Sequence, residues 1–218
     1  MYIGNKVINY AIIYMGDDKM DKELKEFIEF RNNYKFKQLD IVENNDNLYC
    51  SGELLKDENG YISDSTKWIN IGYTLHNNYS KLLSNLFPYN FTFYNCEFGS
   101  IEGFFQGIKY KDINLQKQVF KYSGKDAVAL KDATDYDWTI TGNIYFLGKE
   151  IKRDSKEYDD LINELYISAM QNKLYRTALK KCPLPIIHPI GKTSKKETTF
   201  TRYEFELMLN CLHDFLNR

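Results

Sequence analysis

The sequence is poor in the features that mark several classes of protein. Its four cysteines, at positions 50, 96, 182 and 211, are far apart and form no CxxC pair. That spacing argues against a zinc site and a disulfide scaffold, and it predicts free thiols in a reducing cytosol. The apolar run over residues 10–15 ends at Gly16-Asp17-Asp18 and is too short to cross a bilayer. We therefore expect a soluble, cytoplasmic protein with no membrane partner.

An excess of charge of one sign is also lacking. The chain has 29 Lys and Arg residues against 30 Asp and Glu residues, which gives a net charge of −1. Without a basic field, bulk duplex nucleic acid is a disfavoured partner. There is neither a P-loop nor a dinucleotide fingerprint after a strand. The three histidines, His76, His188 and His213, are too scattered to propose a metal site.

Aromatic residues are plentiful, with 18 Tyr and 14 Phe, and they can supply the core of one compact domain of 218 residues. Apolar patterning predicts strands at residues 7–14, 36–55, 68–71 and 91–94, and a strand or turn at 145–150. It predicts helices at residues 19–33, 101–110, 112–122 and 125–130, and from residues 155, 174 and 201. The sequence thus predicts an α+β, mainly helical fold. Residues 1–71 form a strand-rich N-terminal elaboration and residues 72–218 the main domain.

The segment over residues 99–110 carries the most informative pattern. Ser100 is a natural N-cap, and apolar residues at 101, 104, 105 and 108 recur at helical spacing. Glu102, Gln106 and Lys109 fall on another face. Two glycines, at 103 and 107, each cost about 1 kcal/mol relative to Ala and indicate a crowded neighbour, either backbone or ligand. Either Glu102 only favours the positive end of the helix dipole, or this polar face lines a site.

The run Ser-Ile-Glu-Gly-Phe-Phe-Gln-Gly-Ile-Lys, at residues 100–109, resembles the signature helix of the NADAR (YbiA-like) family. That family's pattern is Ser-x-Glu-x-x-x-Gln-x-x-Lys. Upstream, Leu-Ser-Asn-Leu-Phe-Pro at residues 83–88 resembles the family's Ser-Asn-Phe segment. The resemblance is close over residues 83–110 and loose over residues 72–216. It implies a YbiA-like domain in a family of N-glycosidases acting on ribosylamino compounds and of hydrolases that remove ADP-ribose from modified bases.

The resemblance implies roles for the matched polar residues. Glu102 would be catalytic, because a carboxylate can stabilise an oxocarbenium-like transition state or orient the attacking water. Gln106 would hydrogen-bond a ribose hydroxyl or a base edge. Lys109 would either meet a phosphate as a point charge or remain a solvated lysine. Asn85 would contact the ligand from a loop, or only cap a turn.

Two aromatic residues are further ligand-binding candidates, each with a structural alternative. Phe87 either stacks on a base or belongs to the core. Trp138 resembles the tryptophan that precedes the family's later helix, and it either stacks on the ligand or packs internally. Beside it, Asp135 and Asp137 are candidates for a second carboxylate.

Basic and loop residues outside these segments complete the candidate site. Arg153 precedes the long helix predicted from residue 155 and would bind phosphate, or it is a surface arginine paired with Asp154 or Glu157. His188, in a Pro-rich loop that also contains Gly191, would act as an acid/base or hydrogen-bond the ligand near neutral pH, or it is structural.

The tail departs from the family, because many relatives have an Asp and a Trp-Gly segment where this chain has residues 188–193 and 198–201. The second acidic position is therefore missing or supplied by another residue. We expect a hydrolase that cleaves an N-glycosidic bond of an ADP-ribose-type nucleotide or an ADP-ribosylated base. Since water is the nucleophile, no metal or organic cofactor is expected. The alternative is a non-catalytic binder that sequesters an ADP-ribose-derived nucleotide.

Overall fold

A computed structural model describes residues 18–44, 47–57, 60–62, 65–129, 138–183 and 185–218. The strand predicted over residues 7–14 and the candidate carboxylates Asp135 and Asp137 lie outside this part of the chain. The chain contains both helices and short strands, which confirms the predicted α+β class.

Most of the helices in the described ranges lie in the second half of the chain. Their ranges are α1 (Asp18–Asn32), α2 (Asn78–Leu82), α3 (Ile101–Gly107), α4 (Ile113–Phe120), α5 (Gly124–Ala129), α6 (Trp138–Thr141), α7 (Lys156–Ala169), α8 (Lys173–Lys181) and α9 (Arg202–Asn217). None of the helices within the described ranges is both long enough and apolar enough to cross a bilayer.

The strands are short and most of them pair as antiparallel hairpins. Their ranges are β1 (Ile41–Asn44), β2 (Asn47–Cys50), β3 (Glu53–Leu54), β4 (Lys56–Asp57), β5 (Gly60–Tyr61), β6 (Ile69–Asn70), β7 (Phe91–Phe93), β8 (Cys96–Phe98), β9 (Asn143–Phe146), β10 (Lys149–Lys152) and β11 (Ile186–Ile187). Strands β1, β2 and β3 form one sheet, while β4–β5, β7–β8 and β9–β10 are hairpins. Strands β6 and β11 pair in parallel, with Ile69 opposite Ile186.

Side-chain caps begin the later helices where the sequence predicts them. Ser155 Oγ accepts the Tyr158 N–H at 3.2 Å, so α7 begins directly after Ser155. Thr201 and Glu204 form both halves of a capping box at the start of α9. Asn172 caps α8, so the helix predicted from residue 174 begins at Lys173.

The two glycines of α3 lie against the C-terminal end of α4. A Cβ at Gly103 would lie 2.7 Å from the carbonyl oxygens of both Phe120 and Tyr122. A Cβ at Gly107 would lie 2.3 Å from the Phe120 ring. The close neighbour predicted from these glycines is therefore the end of another helix. Both glycines allow α3 and α4 to pack closely.

The described part of the N-terminal elaboration packs directly on the later helices. Helix α1 lies against α7 and α9, where the Phe27 ring meets Phe215 edge-on at 5.4 Å. The Arg176 guanidinium donates to both carboxylate oxygens of Glu23, at 2.6 and 3.1 Å. A second, smaller core contains Cys50, Leu55, Trp68 and Ile187. The division of the chain at residue 71 stays a prediction, although contacts cross it.

Candidate functional site

Glu102 lies in the first turn of α3, close to the end of β8. Ser100 holds this turn, because its Oγ accepts the Gly103 N–H at 3.0 Å and donates to the Tyr122 carbonyl at 2.9 Å. The Glu102 N–H donates to the backbone carbonyl of Asn85 at 2.8 Å. The segment that contains Asn85 is therefore attached to the start of α3, and the Glu102 side chain is left half-buried.

Three polar side chains form a hydrogen-bonded ladder along one face of α3 and the turn after it. Gln106 Nε2 donates to Glu102 Oε1 at 2.6 Å, and Lys109 Nζ donates to Gln106 Oε1 at 2.8 Å. This is the shared face that the spacing predicts. No hydrogen bond joins Glu102 Oε2 to another residue in the described ranges. The carboxylate is thus held by one oxygen and presents the other.

Asn85 meets this ladder from the loop that follows α2. Its side-chain Oδ1 accepts a hydrogen bond from the Tyr166 hydroxyl at 3.0 Å. Tyr166 lies in α7 and is fully buried. Burial raises the pKa of Tyr166 well above its usual value, so the hydroxyl remains protonated and able to donate.

Trp138 covers the other end of the ladder. The Lys109 ammonium lies over its indole ring, 5.4 Å from the ring centroid. The tryptophan is 5% exposed, and its Nε1–H has no hydrogen-bond partner among the described residues. Two predicted candidates, Lys109 and Trp138, are therefore in contact. We refer to Asn85, Glu102, Gln106, Lys109 and Trp138 as the Glu102 cluster.

Phe87 lies two residues after Asn85 and is half-buried. Its ring packs against Tyr89 at 4.6 Å and, edge-on, against Tyr73 at 6.4 Å between centroids. The Tyr73 ring also faces the Lys81 ammonium at 5.8 Å. Phe87 thus belongs to an aromatic group beside the Glu102 cluster, and its stacking on a base stays a prediction.

His188 follows β11 and is held by backbone and aromatic contacts. Its Nδ1 lies 2.8 Å from the Ile71 carbonyl oxygen, and its backbone N–H donates to Glu206 at 2.7 Å. The Phe205 ring packs against the imidazole at 4.9 Å. Burial lowers the pKa of His188, so the ring is neutral near pH 7. A Cβ at Gly191 would lie 2.7 Å from the imidazole, so this glycine lets the loop fold closely over it.

Glu206 joins His188 to the N-terminal residues. Its carboxylate accepts a hydrogen bond from Gln38 Nε2 at 2.5 Å and lies 3.6 Å from Arg202 Nε. Burial raises the pKa of Glu206. No hydrogen bond, ion pair or ring contact in the described part of the chain joins His188 or Gly191 to the Glu102 cluster. Their roles in acid/base chemistry and ligand binding stay predictions.

Arg153 is buried at the start of α9 rather than on the surface. It is 6% exposed, and its guanidinium donates to Glu204 at 2.6 Å and to Asp154 at 3.1 Å. The same group lies 4.4 Å from the centroid of the Tyr158 ring. The expected pairing with Asp154 is confirmed, but the expectation of a surface arginine is wrong, and Glu204 takes the place expected for Glu157. Phosphate binding by Arg153 stays a prediction.

Sequence reasoning missed Tyr166 as a member of this region. The tyrosine belongs to the apolar face of the long helix, and that pattern predicts only a core residue. The signal that could have found it is chemical, because a buried tyrosine hydroxyl needs a hydrogen-bond partner. That partner, Asn85, is 81 residues earlier in the chain.

Other reactive groups in the described ranges do not assemble into a second centre. Cys50, Cys96, Cys182 and Cys211 are all buried, and none of them forms a disulfide bond with another described residue. Within the same ranges, no group of three or more His, Cys, Asp or Glu side chains could hold a metal ion. The Glu102 cluster is therefore the best-connected candidate site. It combines a carboxylate, two amides and a cation beside an indole.

Comparisons with known proteins find similarity to phage proteins. A family model described as Bacteriophage protein GP30.3 matches residues 78–214, a span that contains the whole Glu102 cluster. The chain is 33% identical over 138 residues to an uncharacterized 17.1 kDa protein of the Gp30-rIII intergenic region of enterobacteria phage T4. That match covers 62% of this chain and 90% of the relative. The comparison with solved structures finds no match.

Proposed function

This chain belongs to the bacteriophage protein GP30.3 family, and we propose that it hydrolyses the N-glycosidic bond of an ADP-ribose-type nucleotide or an ADP-ribosylated base. The observation that carries the proposal is the ladder from Lys109 through Gln106 to Glu102. It leaves one carboxylate oxygen available on a half-buried side chain.

Two further features support the proposal. The residues of the ladder are those at which the sequence resembles the signature helix of the NADAR family, and Asn85 matches the family's second segment. Asn85 is also bonded to Glu102 through its backbone carbonyl. A NADAR-like site explains why the two matching segments are in contact. A purely structural role leaves the polar face of α3 unexplained.

The chemistry follows from the position of the Glu102 carboxylate. Cleavage of the bond between the anomeric carbon and the base nitrogen leaves the electron pair on the nitrogen and positive charge on the ribose. A fixed carboxylate stabilises that charge because it requires no reorganisation during the reaction. The oxygen of water then bonds to the anomeric carbon and loses a proton. A base that leaves as an anion takes up that proton, whereas the nicotinamide of NAD leaves neutral and the proton is released to solvent. Gln106 fixes Oε1, so Oε2 acts on the ribosyl cation or on the water.

The test is incubation of the purified full chain with NAD, ADP-ribose, cyclic ADP-ribose isomers and ADP-ribosylated guanine nucleotides. Products are followed by mass spectrometry, and retained ligand is measured after release by heat. We expect one of these compounds to be hydrolysed, and we expect Glu102→Gln to lower the rate at least about 100-fold while binding is largely kept.

The matched control is Glu97→Gln, which changes an exposed carboxylate on β8 that pairs only loosely with Lys121, at 3.8 Å. It should leave the rate unchanged. Ligand that is retained and recovered intact, with no product, would instead make the protein a binder that sequesters the nucleotide. If none of these compounds is hydrolysed and none is retained, both functions are refuted.

A further inference from the structure

The hydrogen bond between Tyr166 and Asn85 determines how the Asn85 amide is oriented. Tyr166 is fully buried, and the acceptor of its hydroxyl in the described ranges is Asn85 Oδ1, at 3.0 Å. A buried hydroxyl that finds no acceptor is unfavourable, so this pairing is preferred. The rest of the asparagine is fixed as well, because its backbone carbonyl accepts the Glu102 N–H.

An asparagine amide has one oxygen and one NH₂ group on opposite sides. Once Oδ1 faces Tyr166, Nδ2 must face away from it. No hydrogen bond joins Nδ2 to another residue in the part of the chain that is described. Its two N–H donors are therefore available, on a residue whose backbone is bonded to that of Glu102.

We propose that Tyr166 is a positioning residue of this site, which holds the Asn85 amide so that its NH₂ group is presented to the ligand. The inference rests on the proposed function. Beyond that function, the position of the NH₂ group defines the chemistry of one ligand contact. The ligand must offer Asn85 a hydrogen-bond acceptor, such as a ribose hydroxyl oxygen, a carbonyl or a phosphate oxygen. A donor group at that position is rejected, because two N–H groups would face it.

The first experiment needs no ligand. Nuclear magnetic resonance of the ¹⁵N-labelled full chain measures the order parameter of the Asn85 side-chain NH₂ group, which is assigned by its disappearance in Asn85→Asp. We expect a high order parameter in the natural protein and a clearly lower one in Tyr166→Phe, because the phenylalanine cannot hold Oδ1. An unchanged order parameter in Tyr166→Phe would overturn the inference.

The matched control is Tyr158→Phe. It removes another buried tyrosine hydroxyl from the same helix, one that donates to the Thr199 carbonyl and not to Asn85. A purely structural role for Tyr166 predicts that both variants lower the melting temperature and neither changes Asn85. Our inference predicts loss of Asn85 order in Tyr166→Phe alone.

The second experiment measures the dissociation constant of ADP-ribose by calorimetry. Asn85→Asp keeps the acceptor for Tyr166 but removes both donors, and we expect it to weaken binding at least as much as Tyr166→Phe does. The expected loss for Tyr166→Phe is about threefold to tenfold. The double variant should bind no more weakly than Asn85→Asp, and additive losses would contradict positioning through Asn85. If the natural protein binds no ADP-ribose, that part of the proposed function fails, while the order parameter still decides the role of Tyr166.

Discussion

Gln106 donates a 2.6 Å hydrogen bond to Glu102, one helical turn away on the same face of α3. A bond to an ionised carboxylate is among the stronger hydrogen bonds in proteins. The amide is fixed at both ends, because its oxygen accepts from Lys109 at 2.8 Å and a flip would break both bonds. The orientation of the candidate catalytic carboxylate is therefore linked to a cation two turns along the chain.

Replacing Gln106 by Met tests this link. Met fills a similar buried volume but has no amide, so Glu102 and Lys109 lose their bridge. We expect kcat for the hydrolysed nucleotide to fall about tenfold, with a smaller change in KM, because the substitution loosens the carboxylate without removing it. Steady-state kinetics measures both quantities. Gln118→Met, at an exposed position of α4, is the control and should change neither; equal losses in both variants would contradict the prediction.

The packing of α3 against α4 predicts the response to Gly103→Ala. The added Cβ would lie 2.7 Å from two backbone carbonyl oxygens, which cannot move aside as a side chain can. We expect a loss of about 2–3 kcal/mol in the free energy of unfolding, although Ala is the better helix former by about 1 kcal/mol. Urea denaturation measures the change.

The control for that substitution is Gly72→Ala. Its Cβ would meet the end of the Leu75 side chain at 2.9 Å, and that side chain can rotate away. We expect a loss below about 1 kcal/mol. If Gly72→Ala proved as costly as Gly103→Ala, the rigidity of the α4 backbone would not be the cause.

The burial of His188 predicts a pH dependence of stability. Its pKa is lower in the folded chain than in the unfolded chain, where it is about 6.5. As pH falls below about 6.5, the unfolded state therefore takes up a proton that the folded state does not, and stability is lost. The slope for one such group is at most about 1.4 kcal/mol per pH unit, and the contribution is fully present above pH 6.5.

His188→Asn should flatten this slope, because Asn can still donate to the Ile71 carbonyl but does not titrate. Urea midpoints at several pH values between 5 and 7 would measure it. The raised pKa of Glu206 acts in the opposite direction, since its stability contribution falls as pH rises, but Glu206 is common to both proteins and cancels in the difference.

Phe27→Ala tests how strongly α1 is attached to the rest of the protein. Phe27 is fully buried and meets Phe215 of α9 edge-on. Truncation of a buried phenylalanine costs about 3–5 kcal/mol, so thermal unfolding should begin at a clearly lower temperature. Phe36→Ala is the control, because that half-buried ring lies outside the main core and packs beside the exposed Tyr203, so its truncation should cost about 1 kcal/mol or less. Similar melting temperatures for both variants would mean that α1 adds little to stability.

Local signals made much of the fold predictable. Helix starts at Ser155 and Thr201 follow from capping, which depends on residues within one turn. The shared face of Glu102, Gln106 and Lys109 follows from helical spacing alone. These features need no knowledge of distant parts of the chain.

Contacts between distant residues were not predictable in this way. The partner of Arg153, Glu204, is 51 residues away, and the partner of Tyr166 is 81 residues away. Sequence spacing within one element cannot show which faces meet after folding. The same limit applies to His188, whose contacts with Ile71 and Glu206 could not be predicted from the sequence.

The pairing of β6 with β11 has a practical consequence for the design of expression fragments. The family match begins at residue 78, but Ile69 and Ile71 donate hydrogen bonds to the carbonyls of Pro185 and Ile187. An expression fragment that starts at residue 78 loses both donors and leaves Phe215 uncovered. We therefore expect a fragment that starts where the family match begins to be less stable than one that keeps α1 and β6.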